Sequence, residues 1–336
     1  MPHKLHVMTD LPKFEDLPLR KDGPPYNAWG LYGEDDELGR LNLITPETVQ
    51  RGIRAAEHGI VINLNLPLDR QTSHSNARAG LKHTLVSVPG AQHLDDELSF
   101  NTQCSTQWDG FRHFPYKDWP SQGELTFYNG QTLESARDLT DSRNGIHNFA
   151  NHPITSRAHL LDVPRYLKKN GLPPLVQLDN TTPIDADLLT AVAAFQQTEF
   201  LPGDICVLRI GHVEAVFALG RKGQNGNVSA NEAEKKVTKF CGVSKAVEVA
   251  KWHWDRGIAA VVTDGVAYES SREEDNPIYL HEIFLAGWGM PIGEWFDLRR
   301  LAAECDRLGK WTFLFTSMPL NVTGGIASPP NAQAIL

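Results

Sequence analysis

Strand-like and helical segments alternate along the second half of this 336-residue chain, and this alternation constrains its fold more than any other feature. Apolar, strand-like runs occur at residues 159–163, 204–210, 259–263 and 311–316, whereas helical periodicity occurs at residues 186–197, 244–255 and 298–308. Such alternation is typical of a layered fold in which helices cover a sheet. The sequence therefore predicts an α/β protein.

The amino-terminal segment differs in character from the rest of the chain. Residues 1–28 are polar and contain Pro18, Pro24 and Pro25, which favour an extended path over the surface. No break in composition and no internal repeat divides the remainder. We therefore expect an extended arm over residues 1–28 and a single domain over residues 29–336. Within that domain Thr45 and Pro46 predict a helix start, because threonine caps helices and proline suits the first helical position.

Charge and composition exclude several classes of function. Lys and Arg total 32 against 41 Asp and Glu, which gives a net charge of −9. A surface of this sign repels phosphate backbones and anionic lipids, so we expect neither nucleic-acid binding nor membrane attachment. No apolar run approaches ~18 residues and no signal-peptide pattern opens the chain, so we expect a cytoplasmic protein. The four scattered cysteines argue against a disulfide framework and against a thiolate zinc site.

Residues 101–113 form the densest polar cluster in a chain that has no phosphate-binding glycine loop, no GxSxG elbow and no HExxH helix. Gln103, Gln107, Asp109 and His113 are spaced 4, 2 and 4 residues apart. On a strand, even spacing places all four side chains on one face. The cluster therefore predicts half of a metal site or of an acid–base site. The alternative is a hydrogen-bonded loop in which Asp109 caps a turn and His113 packs.

A second polar cluster lies near residues 275–294. A helix starting near Tyr279 would carry His281, and Pro291 would force an extended stretch that presents Glu294. A histidine and a carboxylate offered from the ends of two elements can supply a metal ligand or general base and a second proton carrier. The alternative is a surface histidine and a helix-capping glutamate.

At these two clusters the sequence resembles the cyclase superfamily of metal-dependent hydrolases, which includes bacterial kynurenine formamidase and isatin hydrolase. The family signature HxGTHxDxPxH aligns without a gap to QCSTQWDGFRH at residues 103–113. Further stretches agree in order and extend the resemblance over roughly residues 29–320; they are residues 29–45, 152–163, 203–211 and 242–265. The resemblance implies a swivelling β/β/α fold around a mixed sheet. It also implies a homodimer or homotetramer with its active sites near the subunit interface.

The resemblance also implies roles for individual residues. In the family the first two signature histidines and the aspartate bind a divalent metal, the last histidine transfers protons, and a later His and Glu complete the site. In this sequence the metal-ligand positions correspond to Gln103, Gln107, Asp109 and His281. The catalytic positions correspond to His113, His281 and Glu294.

The chain departs from the signature because glutamine replaces both ligand histidines. A carboxamide oxygen is a weaker donor than an imidazole nitrogen and suits Mn²⁺ or Mg²⁺ better than Zn²⁺. Three outcomes follow. The site binds a weaker or different metal, with manganese or zinc as the candidates, or it recruits other ligands, or it works without a metal.

The leading hypothesis is hydrolysis of a carbon–nitrogen amide or lactam bond, or of an ester or lactone, in a small and perhaps aromatic metabolite. Metal-activated water would attack, and His113 would carry the proton to the leaving group. The candidates to wall a flat substrate pocket are aromatic, namely Trp29, Tyr32, Trp108, Phe111 and Trp288. The alternatives are a non-hydrolytic cyclase, dehydratase or lyase on the same scaffold, and a metal-free small-molecule-binding protein.

Overall fold

A nine-stranded mixed sheet forms the centre of the molecule in a computed structural model that describes residues 11–70, 78–87, 90, 92–224, 239–275 and 277–336. Thirteen strands are assigned in these ranges: β1 (Val61–Asn63), β2 (Lys82–Ser87), β3 (Leu94–Ser99), β4 (Gln107–Asp109), β5 (Tyr116–Lys117), β6 (Leu125–Thr126), β7 (Ile154–Asp162), β8 (Ile205–Arg209), β9 (Ala260–Thr263), β10 (Ile292–Glu294), β11 (Thr312–Ser317), β12 (Ala327–Ser328) and β13 (Ala332–Ile335).

The order of the strands in the large sheet is β1-β13-β11-β7-β8-β9-β10-β4-β12. Strands β7, β8, β9 and β10 are parallel to one another, and the flanking pairs are antiparallel. The predicted strands at residues 159–163, 204–210, 259–263 and 311–316 correspond to β7, β8, β9 and β11. The prediction of an α/β fold with a mixed central sheet is confirmed. The remaining strands form two hairpins, β2 with β3 and β5 with β6.

Eight α-helices surround the sheet within the described ranges: α1 (Pro46–Ala55), α2 (Leu133–Arg137), α3 (His147–Asn151), α4 (Val163–Lys169), α5 (Ala186–Phe195), α6 (His212–Gln224), α7 (Val247–Asp255) and α8 (Arg299–Leu308). As expected, α1 begins directly after Thr45, whose hydroxyl accepts a hydrogen bond from the Thr48 N–H. The predicted helix over residues 244–255 begins later, at Val247, and the Ser244 hydroxyl donates to Glu274 instead of capping a helix. No helix in these ranges is long and apolar enough to cross a membrane.

The parallel strands β8 and β9 are covered on both sides, and every side chain of β9 is buried. Strands that are buried on both faces read as continuous apolar runs, which explains why residues 259–263 show no alternation of apolar and polar residues. This part of the sheet is the buried base beside which β10 and β4 lie.

The amino-terminal segment packs against the core from residue 11 onward. Phe14 is 6% exposed, stacks on Tyr26 with ring centroids 5.6 Å apart and meets the Trp288 ring edge-on. Residues 1–10 of the predicted arm lie outside the described ranges.

Candidate functional site

The pairing of β4 with β10 places three polar side chains on one face of the sheet. Glu294 pairs with Gln107, and Gly293 pairs with Trp108 in an antiparallel register. Because neighbouring side chains in a strand alternate between faces, Gln107, Asp109 and Glu294 share one face and Trp108 points to the other. A Cβ on Gly293 would lie 2.8 Å from Phe296 Cε2 and 3.1 Å from the Trp108 ring, so a larger residue there would displace the packed aromatic rings.

Turns on either side of β4 bring Gln103 and His113 to the same place. Strand β4 covers residues 107–109 alone, so the predicted four-residue strand face is wrong, although the four side chains still meet. Gln103 Nε2 lies 2.5 Å from Asp109 Oδ1 and 3.2 Å from His113 Nε2. The same ring nitrogen of His113 lies 3.7 Å from Asp109 Oδ2. Asp109 is therefore flanked by a carboxamide and by an imidazole.

His281 approaches this group from the N-terminal end of a π-helical segment, Glu282–Gly287. Its Nδ1 donates to Glu269 Oε2 at 2.7 Å, and its backbone N–H donates to Glu269 Oε1 at 3.2 Å. Its Nε2 consequently faces Glu294 Oε1 at 3.1 Å and Asp109 Oδ2 at 3.8 Å. Glu269 thus fixes both the position and the orientation of the imidazole.

Glu269 was not predicted from the sequence. This residue follows β9 in a loop, is 9% exposed, and has no motif spacing to His281. The available signal was a carboxylate a few residues beyond a fully apolar strand, since active-site residues commonly follow the carboxyl ends of parallel strands.

Electrostatic interactions within the cluster move several pKa values. Burial raises the pKa of Glu294 to about 7, and the charge of Asp109 acts in the same direction. Burial opposes the charged form of His281, but the charge of Glu269 and hydrogen bonds to the surrounding carboxylates outweigh it and raise the pKa well above its ordinary value. For His113 burial is the larger effect and lowers the pKa, although Asp109 opposes it. In Asp109 the two histidines outweigh burial, and the pKa is lowered.

Asp109, His281 and Glu294 offer ligand atoms that all lie within 4.8 Å of one another, and all three residues are buried. Among the described residues, Asp109 Oδ2 and Gln107 Oε1 are buried without a hydrogen-bond partner. Buried oxygens normally have partners, so these two atoms beside His281 and Glu294 are suited to bind a cation. Oxygen and imidazole donors in this arrangement fit a divalent cation such as Mn²⁺ or Zn²⁺.

The two predicted glutamine ligands present their amide nitrogens to the carboxylates. Gln103 Nε2 donates to Asp109, and Gln107 Nε2 donates to Glu294 Oε2 at 2.9 Å. In this arrangement both glutamines hold the carboxylates in place as hydrogen-bond donors. Their predicted role as oxygen ligands of a metal stays a prediction.

The backbone directly after Glu294 adopts an uncommon conformation. Trp295 has a φ of 58°, in the left-handed region that residues other than glycine rarely enter. Its N–H donates to the Gly265 carbonyl at 3.0 Å, and its carbonyl accepts from the Thr106 hydroxyl at 2.6 Å. Such over-determined strain is typical of functional sites, and here it fixes the end of β10 beside the cluster.

A cavity of about 400 Å³ opens onto the cluster. Its lining includes three kinds of side chain. The carboxylates and imidazoles belong to His113, Glu269, His281 and Glu294; the aromatic rings belong to Phe114, Phe240, Tyr279 and Trp295; the basic groups belong to Arg78 and Lys245. This volume suits a small metabolite.

The structure corrects the predicted aromatic pocket wall. The five predicted residues lie in the hydrophobic core and none of them lines this cavity; they are Trp29, Tyr32, Trp108, Phe111 and Trp288. The indole nitrogens are used internally: Trp108 donates to Ser317 at 2.8 Å and Trp29 donates to the Ala286 carbonyl at 2.7 Å. These aromatic side chains therefore stabilise the fold, and a different aromatic set faces the cavity.

Comparison with known proteins found a family model and solved structures that resemble this chain. A model of the Cyclase family, described as "Putative cyclase", matches residues 42–270. A crystal structure described as a novel cyclase is similar over 92% of this chain and 97% of that chain, with 27% sequence identity and a TM-score of 0.77.

Two isatin hydrolases share the fold at lower identity. One, bound to the product analogue thioisatinate, has 12% identity and a TM-score of 0.56 over 87% of this chain and 99% of its own. Isatin hydrolase A from Ralstonia solanacearum has 14% identity and a TM-score of 0.54 over 87% and 97%. A comparison with curated protein sequences gave no match.

Proposed function

This chain belongs to the cyclase family, and we propose that it is a metal-dependent hydrolase that cleaves an amide or lactam bond, or an ester or lactone bond, in a small metabolite. The observation that carries the proposal is the buried cluster of Asp109, His281 and Glu294 beside a cavity of metabolite size. The shared fold of the isatin hydrolases supports this reaction class, since isatin is itself a cyclic amide.

The negative charge of the buried carboxylates favours the binding of a cation in the cluster. Three buried carboxylates, on Asp109, Glu269 and Glu294, face one imidazole that is readily protonated, His281. Buried charges are costly unless they are compensated. Asp109, His281 and Glu294 would hold the ion, and Glu269 would orient His281 from behind, as second-layer carboxylates do. A divalent cation bound there supplies an acidified water and polarises the carbonyl of the substrate.

His113 is placed to move the proton. Its lowered pKa keeps the imidazole neutral near pH 7, and Nε2 accepts a hydrogen bond from Gln103 beside Asp109. In hydrolysis the attacking water would replace Gln103 as the hydrogen-bond donor to His113 Nε2. Its hydroxyl bonds to the carbonyl carbon while His113 Nε2 takes its proton. The carbon–nitrogen bond then breaks as the same nitrogen atom of His113 returns the proton to the leaving amine.

Glu294 can bind a cation or, without one, hold a proton. In the absence of a cation burial raises its pKa to about 7, whereas a bound cation would keep the carboxylate ionised; Gln107 Nε2 donates to its Oε2 at 2.9 Å in either case. The donor amides of Gln103 and Gln107 also favour a second candidate function. Because they already satisfy one oxygen each of Asp109 and Glu294, a metal-free binding protein could keep the same carboxylates buried.

Metal analysis combined with an activity screen separates the two functions. Gently purified protein is analysed for metal and then assayed with Mn²⁺, Zn²⁺ or Mg²⁺ on aryl formamides, lactams and lactones. The proposal predicts turnover in at least one metal and a product one water heavier than the substrate. Less than about 0.1 metal per chain together with no activity in any of the three metals would favour the metal-free binding protein. A product of unchanged mass, or one water lighter, would indicate a cyclase or dehydratase instead.

A further inference from the structure

Lys245 is a buried cation, and the proposed hydrolysis assigns it no role. It lines the cavity, and the whole residue is 8% exposed. Among the residues that the structure describes, no carboxylate pairs with its ammonium group, whose neighbour is the Tyr279 ring with its centroid 5.7 Å from Nζ. A lysine that is buried to this extent normally has an anionic partner.

The backbone around Lys245 is held from both sides. Its N–H donates to Glu274 Oε1 at 3.1 Å, and its carbonyl accepts from the Ile278 N–H at 2.9 Å. Glu274 Oε2 also accepts a hydrogen bond from the Ser244 hydroxyl at 2.8 Å, and Glu274 makes no ion pair with the ammonium group of Lys245. The position from which the side chain enters the cavity is therefore fixed, as in a site built in advance for a ligand.

The lining of the cavity contains both acidic and basic side chains. Glu269 and Glu294 carry the acidic groups beside His281, whereas Lys245 and Arg78 contribute cations to the same lining. An anionic substituent is repelled by the carboxylates and attracted to Lys245. A substrate whose anionic substituent binds Lys245 is thereby oriented relative to His281 and Glu294, which line the same cavity.

We propose that Lys245 binds a carboxylate of the substrate, so that the substrate class is a small amide or lactam that carries a carboxylate next to a flat group. This inference rests on the proposed hydrolase function and adds its specificity. The rings of Phe114 and Tyr279 line the same cavity and offer faces for the flat group. Lys245 and Arg78 attract an anion, whereas the carboxylates of Glu269 and Glu294 in the same lining disfavour a dianion such as a phosphate monoester.

Benzoate and benzamide test this inference, because they differ in charge and hardly in size. Their dissociation constants are measured by calorimetry on the full-length protein after chelation, because a bound Mn²⁺ would itself attract benzoate. We expect benzoate to bind about 10- to 100-fold more tightly than benzamide, as a charge-assisted hydrogen bond provides. Lys245→Met should bring this ratio close to one, whereas Lys245→Arg should preserve it.

Lys117→Met is the matched control. Lys117 Nζ lies 5.4 Å from the centroid of the same Tyr279 ring but lines a different cavity, so its loss should leave the ratio unchanged. Retention of the ratio in Lys245→Met, or equal loss in Lys117→Met, would overturn the proposal. Lys245→Met could fail to fold. The proposal is then overturned if neither the unsubstituted protein nor Lys245→Arg prefers benzoate to benzamide.

The binding readout is independent of turnover. A charge preference that depends on Lys245 in a protein without hydrolytic activity would refute the hydrolase and retain the carboxylate site. Metal-dependent hydrolysis without that preference would refute the carboxylate site and retain the hydrolase.

Discussion

Replacing Glu269 with glutamine changes the group that orients His281 and leaves its size nearly constant. Glu269 accepts from the ring Nδ1 at 2.7 Å and from the backbone N–H of the same residue at 3.2 Å. Glutamine removes the charge from both hydrogen bonds. Its amide nitrogen can also turn toward Nδ1 and donate to it, which favours the tautomer with its proton on Nε2. That proton would occupy the position from which Nε2 faces Asp109 and Glu294.

The size of the effect follows from these two contacts. Charge-assisted hydrogen bonds contribute about 1.5–3 kcal/mol each, and outer carboxylates that orient a metal-binding histidine typically change metal affinity by about 10- to 100-fold. We therefore expect Glu269→Gln to weaken Mn²⁺ binding by about 10- to 100-fold. Binding should be weakened and not abolished, because Asp109, Glu294 and His281 all remain.

Competition with a fluorescent chelator measures this affinity without any assumption about substrate. Glu282→Gln is the matched control, since Glu282 adjoins His281 in sequence, makes no hydrogen bond to its ring and lines the neighbouring cavity. The control should bind Mn²⁺ within about threefold of the unsubstituted protein, a difference below 1 kcal/mol. If Glu269→Gln binds Mn²⁺ as tightly as the control does, the assigned role of Glu269 is wrong.

Three further predictions concern the cluster and the fold. Asp109→Asn should abolish measurable Mn²⁺ binding and leave the far-UV circular dichroism spectrum unchanged; retained binding would refute Asp109 as a ligand. Gln103→His combined with Gln107→His should raise zinc affinity at least about tenfold in the same competition assay, because imidazole is the better zinc donor; an unchanged affinity would mean that these side chains do not face the ion. Asp204→Asn should lower the free energy of unfolding by about 3 kcal/mol at pH 7, because the buried carboxylate pairs with Arg157. Burial opposes its ionisation, but its partners outweigh burial and lower the pKa, so this stabilisation is present above pH ~4 and is lost as pH falls. Urea denaturation should show a smaller difference at pH 3 than at pH 7, and an equal difference would contradict the pairing.

The sequence predicted elements whose determinants are local. The strand-like runs that became β8, β9 and β11 were recognisable because buried strands are apolar throughout, and helix α1 was recognisable from Thr45 and Pro46. The order of the strands was not predictable, because it depends on contacts between segments far apart in the chain.

The error in the aromatic wall has a specific physical cause. The alternation that places Gln107 and Asp109 on one face of β4 necessarily places Trp108 on the other, toward Phe296 and Phe315. That correction was available from the sequence. Glu269 and Lys245 were not available in the same way, since both come from loops whose positions are fixed by tertiary hydrogen bonds.

The most direct test of the account is anomalous diffraction from crystals of the protein grown with Mn²⁺. The account predicts a manganese peak within about 2.5 Å of an oxygen of Asp109, an oxygen of Glu294 and Nε2 of His281. A peak without Asp109 and His281 among its ligands, or no peak at this cluster at a saturating concentration, would contradict the assignment of these residues to a metal-dependent hydrolase.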